Sequence, residues 1–519
     1  MGIGQIMEPA AAWDRPCDFQ LANWTVEEPV ADLPLPVEYA SIDIPVDCGI
    51  QAYEYDVQQL LVEYYSAASR RISTSEKAKI SNDSHARNVV NQVLDDFKAD
   101  MDMMKQKMHR YPTCLGAVDK SYTVPRIVAI GPYHHGLEHL KQAEKVKHVA
   151  ACHCIGDVQL LEEMYEKFVP DADLARRFYD KDVIEGISYD DFRHMMFFDA
   201  CFLVQYMAMR TSFIRRDIID GSLQRFMRPN RSDIFHDVML LENQLPWTVV
   251  ENVLSFMADN DPDVPSIPKR FVYRLRYCMQ PDDHRERPEE EEPFNWDDEY
   301  RPPHLLGLLH YYIVGRRSHI DKETDEEPKN LSFFVSAMDL AEIGITLKAN
   351  KTLQLLDMHL NQKGAVFTEL SLAPLSLDRN RASHLVSMAA FELCTIESFG
   401  AKRARDEDSA VCSYVMLLAN LVYREEDVQE LRERGLLQRG GGLTNSEALA
   451  FFTSVQGLRF GPCYTRIMKQ IKYYRDNSRM KTKLHAFVHY HKKTIAAVVT
   501  GIGAVGGIIG TLLSIKKSI

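Results

Sequence analysis

The chain has 519 residues, of which 45% are hydrophobic, and its formal net charge is -13. The hydrophobic share is normal for a globular protein that buries a core. The negative charge argues against a dedicated nucleic-acid binder, and we expect no nucleic-acid partner. The ten cysteines are scattered along the chain and do not indicate a disulfide framework.

Residues 1–84 are predicted to form a poorly ordered leader. Six prolines precede residue 50 and interrupt any regular element. Charged residues break every apolar run near the start, so the sequence predicts no secretory signal. Without such a signal, the globular body is expected on the cytosolic side.

Apolar residues at helical spacing indicate a helical domain over residues 85–465. Residues 192–209 are too short and too interrupted by charge to span a membrane, and are predicted to be a core helix. Residues 233–257 are predicted to be a second core helix, which kinks or restarts at Pro246.

Residues 281–303 form an acidic loop in this prediction. The segment carries ten acidic residues and several prolines, a composition that cannot bury a core. It is either a solvated loop or a docking site for a basic partner.

Residues 344–378 contain short, β-prone runs that Asn350, Gly364 and Pro374 interrupt. They predict a small antiparallel β-sheet on an otherwise helical body. The expected fold class is therefore mainly α, with this sheet added.

The segment 494–515 contains 22 residues without a charge, and two lysines stand on each side of it. A helix of that length spans roughly 33 Å, enough to cross a bilayer. We predict a C-terminal transmembrane helix, a single-pass tail anchor. Residues 466–493, with nine Lys/Arg and one acid, would form its basic juxtamembrane segment. The alternative is a buried, glycine-rich helix of the body.

Two GxxxG pairs lie in this tail. Gly503 with Gly507 and Gly506 with Gly510 would allow two membrane helices to approach closely and form a homodimer. The alternative is that glycines are simply common in membrane helices.

The sequence contains two histidine-containing groups with spacings that could hold a metal. His135, Glu138 and His139 fit H-x-x-E-H, a zinc peptidase pattern, but Gly136 lies inside the pattern and no third ligand is marked. A second group has no C-x-x-C partner pair and comprises His148, Cys152, His153 and Cys154. We predict no metal, no cofactor and no catalytic residue.

Polar residues inside apolar runs are stronger candidates for a site. Asp199 lies among phenylalanines, and Glu242, Asn243 and Gln244 lie between an apolar run and Pro246. A buried carboxylate needs partners. These residues either fix helix packing through a hydrogen-bond network, or Asp199 and Glu242 form a pair for acid–base or metal chemistry.

The runs VPRIVAIGPYHHG, LEHLKQAEKVKH, FFDACFL and DVMLLENQLPW, in this order, resemble the plant family called domain of unknown function 247. The resemblance covers about residues 85–465, and GPYHHG together with LENQLPW makes it specific. The family-motif positions carried onto this chain are Gly131, Pro132, Tyr133, His134, His135, Gly136, Glu144, Lys147, Asp199, Asp237, Leu241, Glu242, Asn243, Gln244 and Pro246.

The resemblance implies plant proteins without an established enzymatic activity, cofactor or catalytic residue. Members are often associated with the plasma membrane, and some in grasses are implicated in self-incompatibility. We therefore expect a membrane-anchored plant protein, placed in the plasma membrane, that acts in protein recognition or signalling with a protein partner. The alternatives are a hydrolase that uses buried carboxylates, with or without a metal, and a structural scaffold. An enzyme is the less favoured class.

Overall fold

The computed structural model describes residues 92, 106–155, 158–211, 221–259, 261–281, 294–315, 335–351, 354–363, 367–396, 405–440 and 442–477. The chain divides into two units, and every described residue belongs to the second, Ala78–Ile519. The predicted leader, residues 1–84, lies outside the described residues.

The described residues form a mainly helical body with one small sheet. Its helices are, in chain order, α1 (Lys141–Ile155), α2 (Val158–Ala175), α3 (Lys181–Ile184), α4 (Tyr189–Thr211), α5 (Gly221–Met227), α6 (Arg231–Val238), α7 (Trp247–Ala258), α8 (Ser266–Leu275), α9 (Leu305–Val314), α10 (Ala337–Glu342), α11 (Arg379–Thr395), α12 (Ala410–Leu421), α13 (Glu425–Glu433), α14 (Asn445–Ser454) and α15 (Pro462–Asn477). The strands are β1 (Ile345–Ala349), β2 (His359–Lys363) and β3 (Phe367–Leu372).

Two helices form the centres of the body, one buried on all sides in its second half and the other along its whole length. Every residue of α4 from Asp199 to Ala208 is buried, and α4 packs against α1, α2, α7 and α8. Every residue of α12 is buried, and α12 packs against α11 and α15. A helix without a polar face must be covered on all sides, which explains both positions. The core helix predicted at residues 192–209 is confirmed as part of α4.

The predicted helix over residues 233–257 restarts rather than kinks. Helix α6 ends at Val238, and α7 begins at Trp247 with Pro246 as its N-cap. Proline is tolerated at a helix start, where a backbone N–H has no intrahelical partner. The intervening turn contains Asn243 and Gln244, whose side chains bond to backbone groups instead.

The sheet has the strand order β1-β3-β2 and is mixed, so the prediction of an antiparallel sheet is wrong for one of its two pairs. Strands β2 and β3 are antiparallel, whereas β1 and β3 are parallel. The connection from β1 to β2 contains three fully buried side chains, Leu355, Leu356 and Met358. Because this connection packs into the core and does not form a tight hairpin, β1 reaches the far edge of β3.

The prediction of a C-terminal transmembrane helix in the fold class is corrected. Among the helices of the described residues, none is long and apolar enough to cross a bilayer. Residues 494–515, with Gly503, Gly506, Gly507 and Gly510, lie outside the described residues, as do residues 478–493 of the basic segment. The tail anchor, the single-pass localisation and the plasma-membrane assignment depended on that helix and are corrected with it.

Candidate functional site

The segment from Arg126 to Ile130 belongs to no helix or strand, so its backbone N–H groups need other acceptors. Asp237, at the end of α6, supplies them. Its carboxylate accepts hydrogen bonds from the backbone N–H of Arg126 at 2.8 Å, Ile127 at 2.7 Å and Val128 at 2.9 Å. Asp237 is fully buried, and this carboxylate replaces the neighbouring strand that the segment lacks.

Asn243 makes further hydrogen bonds to the backbone of the same segment. Its Oδ1 accepts from the N–H of Ile130 at 2.7 Å, and its Nδ2 donates to the carbonyls of Val128 at 3.1 Å and Asp237 at 3.0 Å. One amide side chain therefore ties the segment to the turn after α6. Its position leaves no polar atom for an outside ligand.

Gly131 ends the segment with a φ of +73°, and a Cβ there would lie 2.9 Å from the carbonyl oxygen of Gln244. Its N–H donates to Oδ2 of Asp199 at 2.8 Å. The other carboxylate oxygen of Asp199 lies 2.6 Å from Nζ of Lys147, which also binds Glu144 at 2.6 Å. The positive φ and the close carbonyl explain why glycine occupies this turn.

The Asp199–Lys147 pair is sealed inside the body, because each side chain is only 1% exposed. Burial opposes the charge on Lys147, but Asp199 and Glu144 outweigh burial and raise the pKa of Lys147 above its ordinary value. Burial raises the pKa of Asp199, although Lys147 acts in the opposite direction. A buried pair of this kind costs several kcal/mol when one partner is removed.

Gln244 connects the turn after α6 to helix α9. Its Nε2 donates to the carbonyls of Val238 and Leu240, both at 2.8 Å, and its Oε1 accepts from the N–H of Leu306 in α9 at 2.9 Å. Its own carbonyl accepts from the hydroxyl of Tyr179 at 2.9 Å. Every hydrogen-bonding group of this side chain is used inside the body.

Glu242 and His134 lie nearer the surface. Oε1 of Glu242 accepts from the N–H of Tyr111 at 2.8 Å, and its Oε2 lies 3.7 Å from Nε2 of His134. Desolvation raises the pKa of Glu242, and burial lowers the pKa of His134 to about 4. His134 is therefore neutral at physiological pH.

The structure does not assemble the H-x-x-E-H pattern on one helix face. Glu138 and His139 lie in a short 3-10 turn that follows residues 131–136, the motif loop with the sequence GPYHHG. Nε2 of His139 lies 3.1 Å from the carbonyl oxygen of Pro125. His135 and Gly136 are exposed on the loop itself. Within the described ranges, no three His, Cys, Asp or Glu side chains are placed to hold a metal.

The predicted motif residues therefore fall into two groups. Asp199, Asp237, Asn243 and Gln244 are buried, whereas Glu242 is partly exposed. Asp199 binds Lys147 and the N–H of Gly131, while Glu242 binds the N–H of Tyr111, so the two acids have separate partners.

Sequence reasoning missed one buried acid that follows the same logic as Asp199. Glu392, in α11, accepts from the N–H of Val411 at 2.9 Å and of Cys412 at 2.8 Å. Nε2 of His310 lies 2.8 Å from it. The signal was available, because Glu392 interrupts the apolar run MAAFELC.

Comparison with known proteins agrees with the motif content. The family model DUF247, described as "Plant protein of unknown function", matches residues 108–506. An Arabidopsis thaliana protein named UPF0481 protein At3g47200 is 23% identical over 377 residues, which cover 67% of this chain and 71% of that protein. No solved structure matches the chain.

Proposed function

We propose, from the premise that this chain belongs to the DUF247 family of plant proteins of unknown function, that its body is a protein-recognition module. It would act by presenting a fixed surface to a partner, in recognition or signalling, and not by turning over a substrate. The partner is a protein with a basic segment.

One observation carries this proposal. Asp199, Asp237, Asn243 and Gln244 direct their polar atoms to Lys147, to His236 or to the body's own backbone, and none is more than 3% exposed. A catalytic acid or base must come within hydrogen-bond reach of its substrate. These side chains instead fix the positions of the segment before Gly131 and of the helices that surround it.

The surface that we assign to recognition contains an arginine and several aromatic rings, each of which is partly buried. The guanidinium of Arg276 lies 4.5 Å from the ring centroids of both Tyr273 and Tyr277, and 4.7 Å from that of Phe294. Trp296 follows and stacks on Tyr312 at 5.2 Å. Trp, Tyr and Arg are enriched in the centres of protein interfaces. We call this group the Arg276 surface.

Acidic residues beside the Arg276 surface favour a basic partner. Asp298 and Glu299 are exposed, and they belong to the acidic segment 281–303. Opposite charges at the edge of an interface speed association and exclude wrong partners. Residues 282–293 of the segment lie outside the described residues, so their docking role stays a prediction.

Affinity purification of the full chain from plant tissue tests the proposal, with Trp296→Ala as the variant and Tyr189→Ala as the control. Tyr189 is an aromatic residue with 59% exposure outside the Arg276 surface. We expect a defined set of proteins with basic segments to be lost with Trp296→Ala and kept with Tyr189→Ala. Identical capture by both variants would contradict the proposal.

The hydrolase alternative gains no support from the described residues. It requires Asp199 and Glu242 to face one open pocket. Asp199 is 1% exposed and paired with Lys147, and Glu242 is bonded to the N–H of Tyr111. We therefore do not adopt it as a second candidate.

A further inference from the structure

Residues 107–111, with the sequence KMHRY, lie across the body as a short irregular segment that we call the strap. Its backbone is held at both ends. The N–H of Met108 donates to the carbonyl of Phe178 at 2.8 Å, and the N–H of Tyr111 donates to Glu242 at 2.8 Å. The hydroxyl of Tyr133 donates to the carbonyl of Met108 at 2.6 Å. These are the contacts by which a protein holds a bound peptide.

The side chains of the strap are matched by charge. Nζ of Lys107 lies 2.7 Å from Asp180, and the guanidinium of Arg110 lies 3.2 Å from Asp180 and 2.6 Å from Asp182. Arg110 also lies over the ring of Tyr133, 5.5 Å from its centroid. Burial opposes the charge of Asp180, but Lys107 and Arg110 outweigh burial, and the pKa of Asp180 lies below its ordinary value.

Two further side chains of the strap fill specific places. Met108 is 1% exposed and belongs to the core. The hydroxyl of Tyr111 lies 2.8 Å from Oγ of Ser387 and accepts from the N–H of Leu241 at 3.1 Å. The residues that contact the strap, which we call its seat, therefore hold one apolar side chain between two basic side chains whose ion pairs share Asp180.

We propose that this seat is a peptide-binding site for a short basic segment with an apolar residue between its two charges, and that residues 107–111 occupy it as an internal ligand. Release of the strap would open the seat to a partner segment of the same chemistry. The inference deepens the proposed function and rests on it for the class of partner. It adds a site separate from the Arg276 surface.

The experiment uses the full chain with Met108→Ala, which loosens the strap but leaves the seat unchanged. The probe is a fluorescent peptide with the sequence of residues 105–113. Hydrogen exchange of the strap amides reports release, and fluorescence anisotropy reports peptide binding. The control peptide carries alanine at the Met108 position. The Glu138→Gln chain, altered at an exposed acid outside the seat, controls for unspecific charge effects.

We expect the strap of the Met108→Ala chain to exchange at least about tenfold faster than that of the original chain, since a buried methionine side chain is lost. We expect the peptide to bind this chain at least about tenfold more tightly than the original chain, with the control peptide failing. Added salt should weaken binding, because ion pairs contribute.

Unchanged strap exchange in the Met108→Ala chain would overturn the inference, because the strap would then not be releasable. Faster exchange without peptide binding would also overturn it, because the seat would then recognise nothing in trans. Neither result would contradict the proposed function, because that function is tested separately by affinity purification with the Trp296→Ala variant.

Discussion

Lys147 of α1 and Asp199 of α4 form an ion pair of 2.6 Å in which each side chain is 1% exposed. This contact joins the first helix after the motif loop to the central helix of the body. Asp199 also accepts from the N–H of Gly131, so one carboxylate fixes two helices and a loop. The motif residues are therefore best understood as the connection between elements that are distant in sequence.

Removal of one member of this pair should be strongly destabilising. We expect Lys147→Met to lower the free energy of unfolding by about 3–5 kcal/mol, because it leaves Asp199 buried without a counter-ion. The measurement is urea unfolding of the full chain. Lys141→Met is the control, since Lys141 is exposed in the same helix and binds only the exposed Glu138. An equal effect of both substitutions would contradict the role of the buried pair.

Asp237 should be sensitive to the loss of one carboxylate oxygen. We expect Asp237→Asn to cost about 2–4 kcal/mol, because an amide offers one acceptor oxygen where three N–H groups now bind a carboxylate. Asp233→Asn, in the same helix but 42% exposed, should cost less than about 1 kcal/mol. Thermal unfolding of the two variants side by side checks this difference.

Glycine at position 131 can be tested against a matched glycine. Gly131 and Gly136 both have positive φ, but a Cβ at Gly136 would meet nothing within 4 Å. Gly136→Ala should therefore cost only the backbone strain, about 1–2 kcal/mol. Gly131→Ala should cost clearly more, because its Cβ also meets the carbonyl of Gln244. Equal unfolding midpoints for the two variants would refute the argument.

The body should lose stability in mild acid. Burial lowers the pKa of His134 to about 4 and of His304 to about 3, and lowers that of His384 well below its ordinary value. The unfolded chain binds these protons near pH 6.5, so the stabilisation is present above that pH and is lost as the pH falls toward 4. With three such groups, the free energy of unfolding should fall by about 4 kcal/mol for each pH unit near pH 5.

Replacement of a single histidine isolates this effect. Neither ring nitrogen of His384 has a hydrogen-bond partner among the described residues, so His384→Phe removes a titrating group without breaking a bond. We expect the acid slope to fall by roughly a third, since one of three groups is lost. The exposed His135→Gln should leave it unchanged. If His384→Phe leaves the pH dependence of the free energy of unfolding unchanged, buried neutral histidines do not cause the loss of stability in acid.

Much of the body could be predicted from local patterns. The run around Asp199 predicted a core helix, and this helix is part of α4. The cost of burying a carboxylate predicted that Asp199 has partners. Its partner could not be named, because Lys147 lies in a helix without a marked apolar face, and no periodicity links it to α4.

Other features depend on contacts that no local pattern contains. The parallel pairing of β1 with β3 follows from how Leu355, Leu356 and Met358 pack, and short β-prone runs alone favour a hairpin. Tyr111 was missed because it lies in a segment without periodicity. Glu392 was missed although the rule that selected Asp199 applies to it.

The buried motif residues bind one another and the backbone inside the body, and they support the fold. The double variant Lys147→Met/Asp199→Leu replaces the ion pair by apolar side chains and should recover part of the stability that Lys147→Met loses. The decisive measurement is capture of partners from plant tissue by this double variant, once hydrogen exchange shows that it is folded. We expect the double variant to capture the same partners as the original chain. A folded double variant that loses its partners would contradict this expectation.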